Sequence, residues 1–199
     1  MLLGVVLLYV GAVLVINGIW LVGQARAARL EPAPAGGPTE DVTAHPTFIE
    51  NREVAVLNIF TGFIGVVAAV TLAVQGNQNG DLASIRAAGY ILLFAFTYFW
   101  VAANQFLGAG GHAFGWYCLF VAITAVAAGS YTLADAAGNS ASIYLGVDWF
   151  AWAFLWGLFF GLLALGRPIG RFTGWVAVLE GIGTSWVFAI LLLQDSLAF

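Results

Sequence analysis

One acidic residue, Glu180, lies in the middle of the apolar segment FTGWVAVLEGIGTSW, which spans residues 172–186. A carboxylate at the centre of a membrane-spanning helix costs about 3 kcal/mol, and such residues usually face the interior of a helix bundle. Three interpretations are open. Glu180 could join two helices through hydrogen bonds with backbone groups and hydroxyls, it could contact a solute in a pore, or it could relay protons in a coupled transporter.

Four aromatic residues, Trp149, Trp152, Trp156 and Phe160, recur at spacings of three and four residues, which places them along one face of a helix. Trp149 lies near the predicted end of its helix, where tryptophan is common at the membrane interface. Trp156 lies near the middle of the membrane, where that explanation does not apply. The stripe predicts either helix packing or the aromatic wall of a pore.

Two other predicted helices carry comparable faces. Phe94 and Tyr98 stand four residues apart, and Leu7, Val10 and Leu14 share one face near the N-terminus. Helix packing alone explains each pattern. Together with scattered amides, however, they suit a narrow uncharged pore for a small, neutral, planar solute, since rings can stack on it and amides can hydrogen-bond to it. The amides in question belong to Asn17 and Asn104.

The composition indicates that these faces belong to membrane-spanning helices. Of the 199 residues, 62% are hydrophobic and 8% are charged, whereas a soluble domain has about 25% charged residues. We predict one all-α membrane domain over residues 1–199, with a polar cytoplasmic loop at 27–52. Its six predicted spans cover residues 2–24, 54–75, 87–107, 113–134, 144–165 and 172–193. Because most connections are short, sequential spans are expected to pack as antiparallel hairpins.

The basic residues predict the orientation of the chain. All six are arginines, and all but Arg86 flank the first or the fifth connection. Positively charged connections face the cytoplasm, so the first, third and fifth connections are predicted to be cytoplasmic and both termini to lie outside. The five flanking residues are Arg26, Arg29, Arg52, Arg167 and Arg171.

The sequence lacks the residue patterns of several common classes of enzyme. It has no lysine for a Walker A motif or a Schiff base and no serine in a GxSxG setting. Cys118 is the only cysteine, and His45 and His112 are too few and too isolated for a metal cluster. A net charge of −4 provides no basic surface for nucleic acid. We therefore predict no catalytic residues, metal, cofactor or nucleic-acid partner.

Four segments together resemble the AmiS/UreI family of bacterial urea channels and short-chain amide transporters. They are LLYVGAVLVINGI, LLFAFTYFWVAAN, WYCLFVAI and RFTGWVAVLEG, and they occur in the same order as in that family. The resemblance implies a six-helix protomer, built of three helical hairpins around its own pore, in a hexameric ring in the inner membrane. It also implies passive flux of urea or short amides.

The resemblance also implies which residues line the pore. In the fifth span the match is imperfect, because Ala153 stands where the urea channels have a further tryptophan, with Trp152 beside it. The aromatic part of the pore is therefore expected to differ from that of the urea channels, and both urea and short amides are candidate solutes. The implied pore residues are Leu7, Val10, Leu14, Phe94, Tyr98, Trp149, Trp156 and Phe160, with Glu180 marked as well.

A passive channel for urea or short aliphatic amides is the function that the sequence favours. A proton-coupled amide transporter is the alternative, and a membrane scaffold without transport is a third class. Coupling to protons normally needs more than one titratable group along the path, and Glu180 is expected to stand alone in the hydrocarbon zone.

The sequence also predicts that acid does not open the pore. A switch near pH 6 most naturally uses histidine, and the predicted outer connections contain none. Their acids are aspartates, which ordinarily titrate near pH 4. The aspartates that the predicted topology places outside are Asp81, Asp135, Asp148 and Asp195.

Overall fold

The computed structural model describes residues 2–29, 45–46 and 48–197, and six helical spans account for most of them. All six are long and apolar enough to cross a membrane, so the prediction of an all-α membrane protein with six spans is confirmed. Most of the predicted loop at 27–52 lies outside the described residues. The first five spans are α1 (Leu2–Ala27), α2 (Asn51–Asn79), α3 (Leu82–Leu107), α4 (His112–Ala134) and α5 (Ser140–Leu163). The sixth comprises α6 (Gly170–Glu180), a π-helical segment (Gly181–Val187) and α7 (Phe188–Leu193).

The helices α3 and α5 begin five and four residues earlier than the sequence predicts, because a polar side chain caps each of them. Asp81 accepts a hydrogen bond from the Ala83 amide at 2.9 Å and starts α3. Asn139 accepts one from the Ser142 amide at 2.8 Å and starts α5. Such caps satisfy amides that have no partner within the helix. The polar residues that follow each cap therefore belong to the helix and not to the connection.

The helices associate in three pairs, two of which are hairpins of sequential neighbours. They are α2 with α3 and α4 with α5, as the short connections predict. The third pair differs from that expectation, because α1 packs mainly along the sixth span and only secondarily on α2. The long connection between α1 and α2 does not force these two helices to pack as a hairpin. Glycines on α1 and on the sixth span explain why α1 packs along that span instead.

The contact between α1 and the sixth span depends on glycines spaced seven residues apart. Gly11 and Gly18 of α1 face Gly181 and Gly174 respectively. A Cβ atom added to Gly18 would lie 2.5 Å from the Gly174 carbonyl oxygen, and one added to Gly174 would lie 2.7 Å from the Gly18 carbonyl oxygen. Small residues allow such close backbone approach between membrane helices. This glycine face of α1 therefore packs against the sixth span, and the face with Leu7, Val10 and Leu14 points in another direction.

We expect Gly18→Ala to destabilise the protein by about 1–3 kcal/mol, because the new methyl group overlaps the backbone of the sixth span. The measurement is the thermal unfolding of purified protein in detergent. Gly157→Ala in α5 is the matched control, since a Cβ there meets nothing within 4 Å and alanine favours a helix over glycine. Equal melting temperatures for the two variants would contradict the close approach.

Candidate functional site

A cavity of about 210 Å³ lies between α1, α3 and α5, with contributions from α2 and α4. We call it the large cavity. About 10–15 Å³ is enough to hold one water molecule, so this space admits a small solute. Every pore residue that the sequence predicts, apart from Phe160, lines it: Leu7, Val10, Leu14, Phe94, Tyr98, Trp149, Trp152 and Trp156.

Aromatic rings form one wall of the large cavity. Phe94 of α3 is at the centre, with ring centroids 5.5 Å from Trp149, 5.5 Å from Trp152 and 5.9 Å from Trp156. Tyr90 packs edge-on against Trp149 at 5.1 Å. Rings at these separations hold one another in place, which gives the cavity a rigid wall of flat apolar surfaces. Trp152 lines the cavity, whereas Ala153 does not.

Charge is nearly absent from this lining. Among the described residues that line the large cavity, only Arg86 is charged, and it lies exposed near the start of α3. On the other helices the lining is mostly aliphatic, with Thr61 and Thr132 as hydroxyl groups. An ion entering the cavity would lose its hydration shell without replacement, whereas a neutral amide would lose much less.

A second, smaller cavity of about 40 Å³ follows the first along α1. Leu14, Tyr98 and Trp156 line both cavities, and each side chain is almost fully buried. These three residues therefore lie at the boundary between the two spaces, and we call them the constriction. Beyond it, Asn17 and Trp20 of α1 line the small cavity.

Two candidate residues do not reach either cavity. Phe160 packs edge-on against Trp116 of α4, with ring centroids 5.2 Å apart, and its neighbour Phe159 lines the small cavity next to Trp156 instead. Asn104 lies near the end of α3, where its backbone carbonyl accepts hydrogen bonds from the Gly108 and Ala109 amides. Neither residue is among those that line the two cavities.

Glu180 lies beside the cavities and lines neither of them. It ends α6 at the point where the helix widens into the π-helical segment. Its backbone carbonyl accepts a hydrogen bond from the Thr184 hydroxyl at 2.7 Å, and that hydroxyl accepts one from the Trp152 indole nitrogen at 2.8 Å. Glu180 is thus two hydrogen bonds away from a residue of the aromatic wall.

The π-helical segment holds α5 in place. The Tyr144 hydroxyl donates to the Gly183 carbonyl at 2.6 Å, and its ring stacks on Phe188 at a centroid distance of 4.4 Å. A π-helical turn disturbs the regular hydrogen-bond pattern of a helix, and such turns are frequent at functional sites. Here it makes a backbone carbonyl available to a side chain of α5, which positions the helix that carries the tryptophans.

Asp148 is the residue that the sequence analysis misplaced. It was counted with the outer aspartates, although the predicted span at 144–165 already contained it. In the structure α5 begins at Ser140, so Asp148 lies about two turns inside the helix and is 3% exposed. Glu180 is therefore not the only acid in the hydrocarbon zone, and the two carboxylates repel each other when both are ionised. Among the described residues, neither Asp148 Oδ2 nor Glu180 Oε2 has a hydrogen-bond partner. The Asn139 cap is the sequence signal that would have extended the helix.

Asn58 is a second polar residue that the sequence analysis did not identify. It lies in α2, is 0% exposed, and forms a reciprocal pair with Asn17. The Asn17 side-chain nitrogen donates to Asn58 Oδ1 at 3.1 Å, and the Asn58 side-chain nitrogen donates to Asn17 Oδ1 at 2.7 Å. The pair joins α1 to α2 at the depth of the small cavity.

Comparison with known proteins agrees with this architecture. The profile of the AmiS/UreI family transporters matches residues 45–196. The chain is 38% identical over 194 residues to a putative amidate substrates transporter protein of Mycolicibacterium smegmatis, across 97% of this chain and 77% of that protein. It is 32% identical over 212 residues to an acid-activated urea channel of Helicobacter pylori strain J99, across 96% of each chain.

A solved structure shows the same fold. The crystal structure of the urea channel from Helicobacter pylori superposes with a TM-score of 0.78 at 30% sequence identity, and the match covers 100% of both chains. Together with the six apolar spans, these matches establish a multi-pass protein of the inner membrane. The chain belongs to the AmiS/UreI family of transporters.

Proposed function

We propose that the protein is a passive channel for urea or short aliphatic amides, and not an enzyme. The observation that carries the proposal is the pair of cavities in series, which share Leu14, Tyr98 and Trp156 as the constriction between them. The relatives support the choice of solute, since one is named a urea channel and another an amidate substrates transporter.

Desolvation free energies explain why such a pathway favours amides over ions. Moving an ion from water into an apolar interior costs of the order of 20 kcal/mol by an idealised estimate, and the aromatic wall offers no charge to compensate. An amide costs about 2–7 kcal/mol, and ring stacking and scattered polar groups offset part of that. A flat solute also fits the space between ring faces better than a branched one of equal volume.

Assembly and orientation belong to the same proposal. The protomers form a hexameric ring in the lipid bilayer, as the family resemblance implies, with each protomer holding its own pore. Both termini lie outside, because the arginines other than Arg86 flank the first and fifth connections and positive connections face the cytoplasm. The large cavity then opens toward the outside and the small cavity toward the cytoplasm.

We propose further that acid does not open this pore. Under this topology Asp81 lies outside, and hydrogen bonds from the Ser84 hydroxyl and from the Ser84 and Ala83 amides lower its pKa. Its carboxylate therefore stays ionised throughout the range in which an acid switch would act. Asp135 and Asp195 lie exposed in turns.

Proton coupling is the second candidate, because the bundle contains two acids, Asp148, which is buried, and Glu180, which is half-buried. Against it, neither residue lines either of the two cavities, so a proton on either one would not travel with the solute. The dependence of flux on a proton gradient separates the two functions.

The test is stopped-flow light scattering of proteoliposomes with urea, formamide, acetamide, propionamide and glycerol. We expect rapid flux of urea and the smaller amides, no effect of a protonophore, and rates within about twofold of each other at about pH 5 and pH 7.5. Empty liposomes are the control. Loss of flux with the protonophore would favour a coupled transporter, and no flux at all would favour a scaffold. A several-fold rise at the acidic pH would contradict the gating proposal and direct attention to Asp148 and Glu180.

A further inference from the structure

The reciprocal pair of Asn17 and Asn58 has a defined orientation, which Val54 determines. The Asn58 side-chain nitrogen donates to the Val54 carbonyl at 2.8 Å, in addition to its bond to Asn17. If the side-chain amide of Asn58 were rotated by 180°, its oxygen would face the carbonyl oxygen of Val54. The nitrogen of Asn58 must therefore point toward Val54 and Asn17, and the Asn17 amide must present its oxygen to that nitrogen.

Within the part of the chain that the structure describes, the partners of Asn17 use only half of its hydrogen-bonding capacity. A primary amide has two N–H donors and two lone pairs on its oxygen. Asn58 takes one donor and one lone pair of Asn17, so one of each remains for another partner among the groups that enter the small cavity. Asn58 itself has both donors occupied and is 0% exposed, so a solute cannot reach it.

Asn17 also lies directly after the constriction in the proposed pathway. The small cavity begins at Leu14, Tyr98 and Trp156, which are the residues of the constriction. One helical turn beyond Leu14, Asn17 lines the same small cavity. A solute that has lost water in the constriction can therefore exchange hydrogen bonds with Asn17 before it reaches bulk water.

We propose that Asn17 is a binding site for the amide or urea group of the permeating solute, and that Asn58 is a positioning residue that holds Asn17 in the required orientation. This inference depends on the proposed function. The chemical class follows from the groups available: the site offers one N–H donor and one carbonyl acceptor, which match the C=O and N–H of a primary amide or urea. An ester or ether of similar size provides no N–H donor and uses half of the site.

The test replaces both asparagines, because a single replacement leaves a buried amide without its partner. In the double variant Asn17→Leu/Asn58→Leu, two apolar side chains of similar size replace the pair, an exchange that can be nearly neutral for stability. We expect acetamide permeability to fall about threefold to tenfold, while permeability to methyl acetate changes by less than twofold. The readout is the ratio of the two permeabilities in the same proteoliposomes.

Two further variants make the result specific. Asn58→Leu alone should lower the same ratio, because Asn17 loses its orientation although its amide remains. Gln105→Leu is the control, because it removes a side-chain amide of α3 that lines neither cavity. That amide donates to the Val101 carbonyl of its own helix, so the permeability ratio should not change. A parallel fall for both solutes, or an unchanged ratio in the double variant, would overturn the inference. Failure of the wild-type protein to pass either acetamide or urea would instead overturn the proposed function.

Discussion

Trp156→Ala is expected to remove most of the discrimination between urea and larger amides, and to raise the propionamide-to-urea flux ratio by about tenfold. Trp156 is one of three residues shared by the two cavities, and its ring also packs against Phe94 with centroids 5.9 Å apart. Removing the indole opens the constriction and frees the neighbouring ring. A close-fitting apolar site discriminates one methylene by about 1–3 kcal/mol, and this is the term that the variant loses. Stopped-flow permeability ratios in proteoliposomes measure it.

The stability of the variant must be measured alongside its selectivity. Truncating a buried tryptophan costs about 3–5 kcal/mol, so Trp156→Leu serves as a second variant that retains part of the apolar volume. Its selectivity should fall between the wild type and Trp156→Ala. If both variants assemble and keep the wild-type ratio, Trp156 contributes packing and not selection.

Phe160→Ala tests whether Phe160 lies in the pore, as the family resemblance implies, or outside it, as in the structure. The resemblance assigns Phe160 to the pore, whereas the structure places its ring against Trp116 at a centroid distance of 5.2 Å, away from both cavities. We therefore expect the propionamide-to-urea ratio to remain close to that of the wild type. A change as large as that of Trp156→Ala would return Phe160 to the permeation pathway.

The six spans and most of the aromatic wall could be predicted because they depend on local patterns. Runs of apolar residues define spans, and spacings of three and four place Trp149, Trp152 and Trp156 on one face. Phe94 is separate in sequence, but its own helix shows the same repeat with Tyr98. The structure brings these faces together around the large cavity.

Other features depend on contacts between distant segments, which periodicity does not reveal. The pairing of α1 with the sixth span comes from reciprocal contacts of Gly18 with Gly174, and either glycine alone is unremarkable in a membrane helix. Asn58 was overlooked because its partner, Asn17, is 41 positions away. Asp148 was counted with the outer aspartates because the predicted span began at 144, only one turn before it, and the Asn139 cap, which starts α5 at Ser140, was not used.

Glu180→Leu and Asp148→Leu are each expected to give a yield of assembled protein at least equal to that of the wild type, and Glu180→Gln is expected to assemble and conduct. The two acids carry the same charge when ionised and repel each other within the bundle, and neither lines either of the two cavities. Glutamine keeps the shape and most of the hydrogen-bonding capacity of glutamate. Leucine removes one carboxyl group and with it the repulsion between two like charges. Fluorescence-detected size exclusion measures assembly, and acetamide flux measures conduction.

The double variant Asp148→Leu/Glu180→Leu decides between a structural pair and two independent functional acids. Replacing either acid removes the repulsion, so replacing the second removes only the cost of burying the remaining carboxyl group. We therefore expect the double variant to assemble about as well as each single leucine variant, and to pass acetamide. This non-additivity is the mark of residues that act through each other. An assembled double variant without flux, together with an assembled but inactive Glu180→Gln, would show that the acids serve conduction itself, either as a pore contact or as a proton relay. Additive losses of assembly in the double variant would instead show that Asp148 and Glu180 contribute through separate contacts.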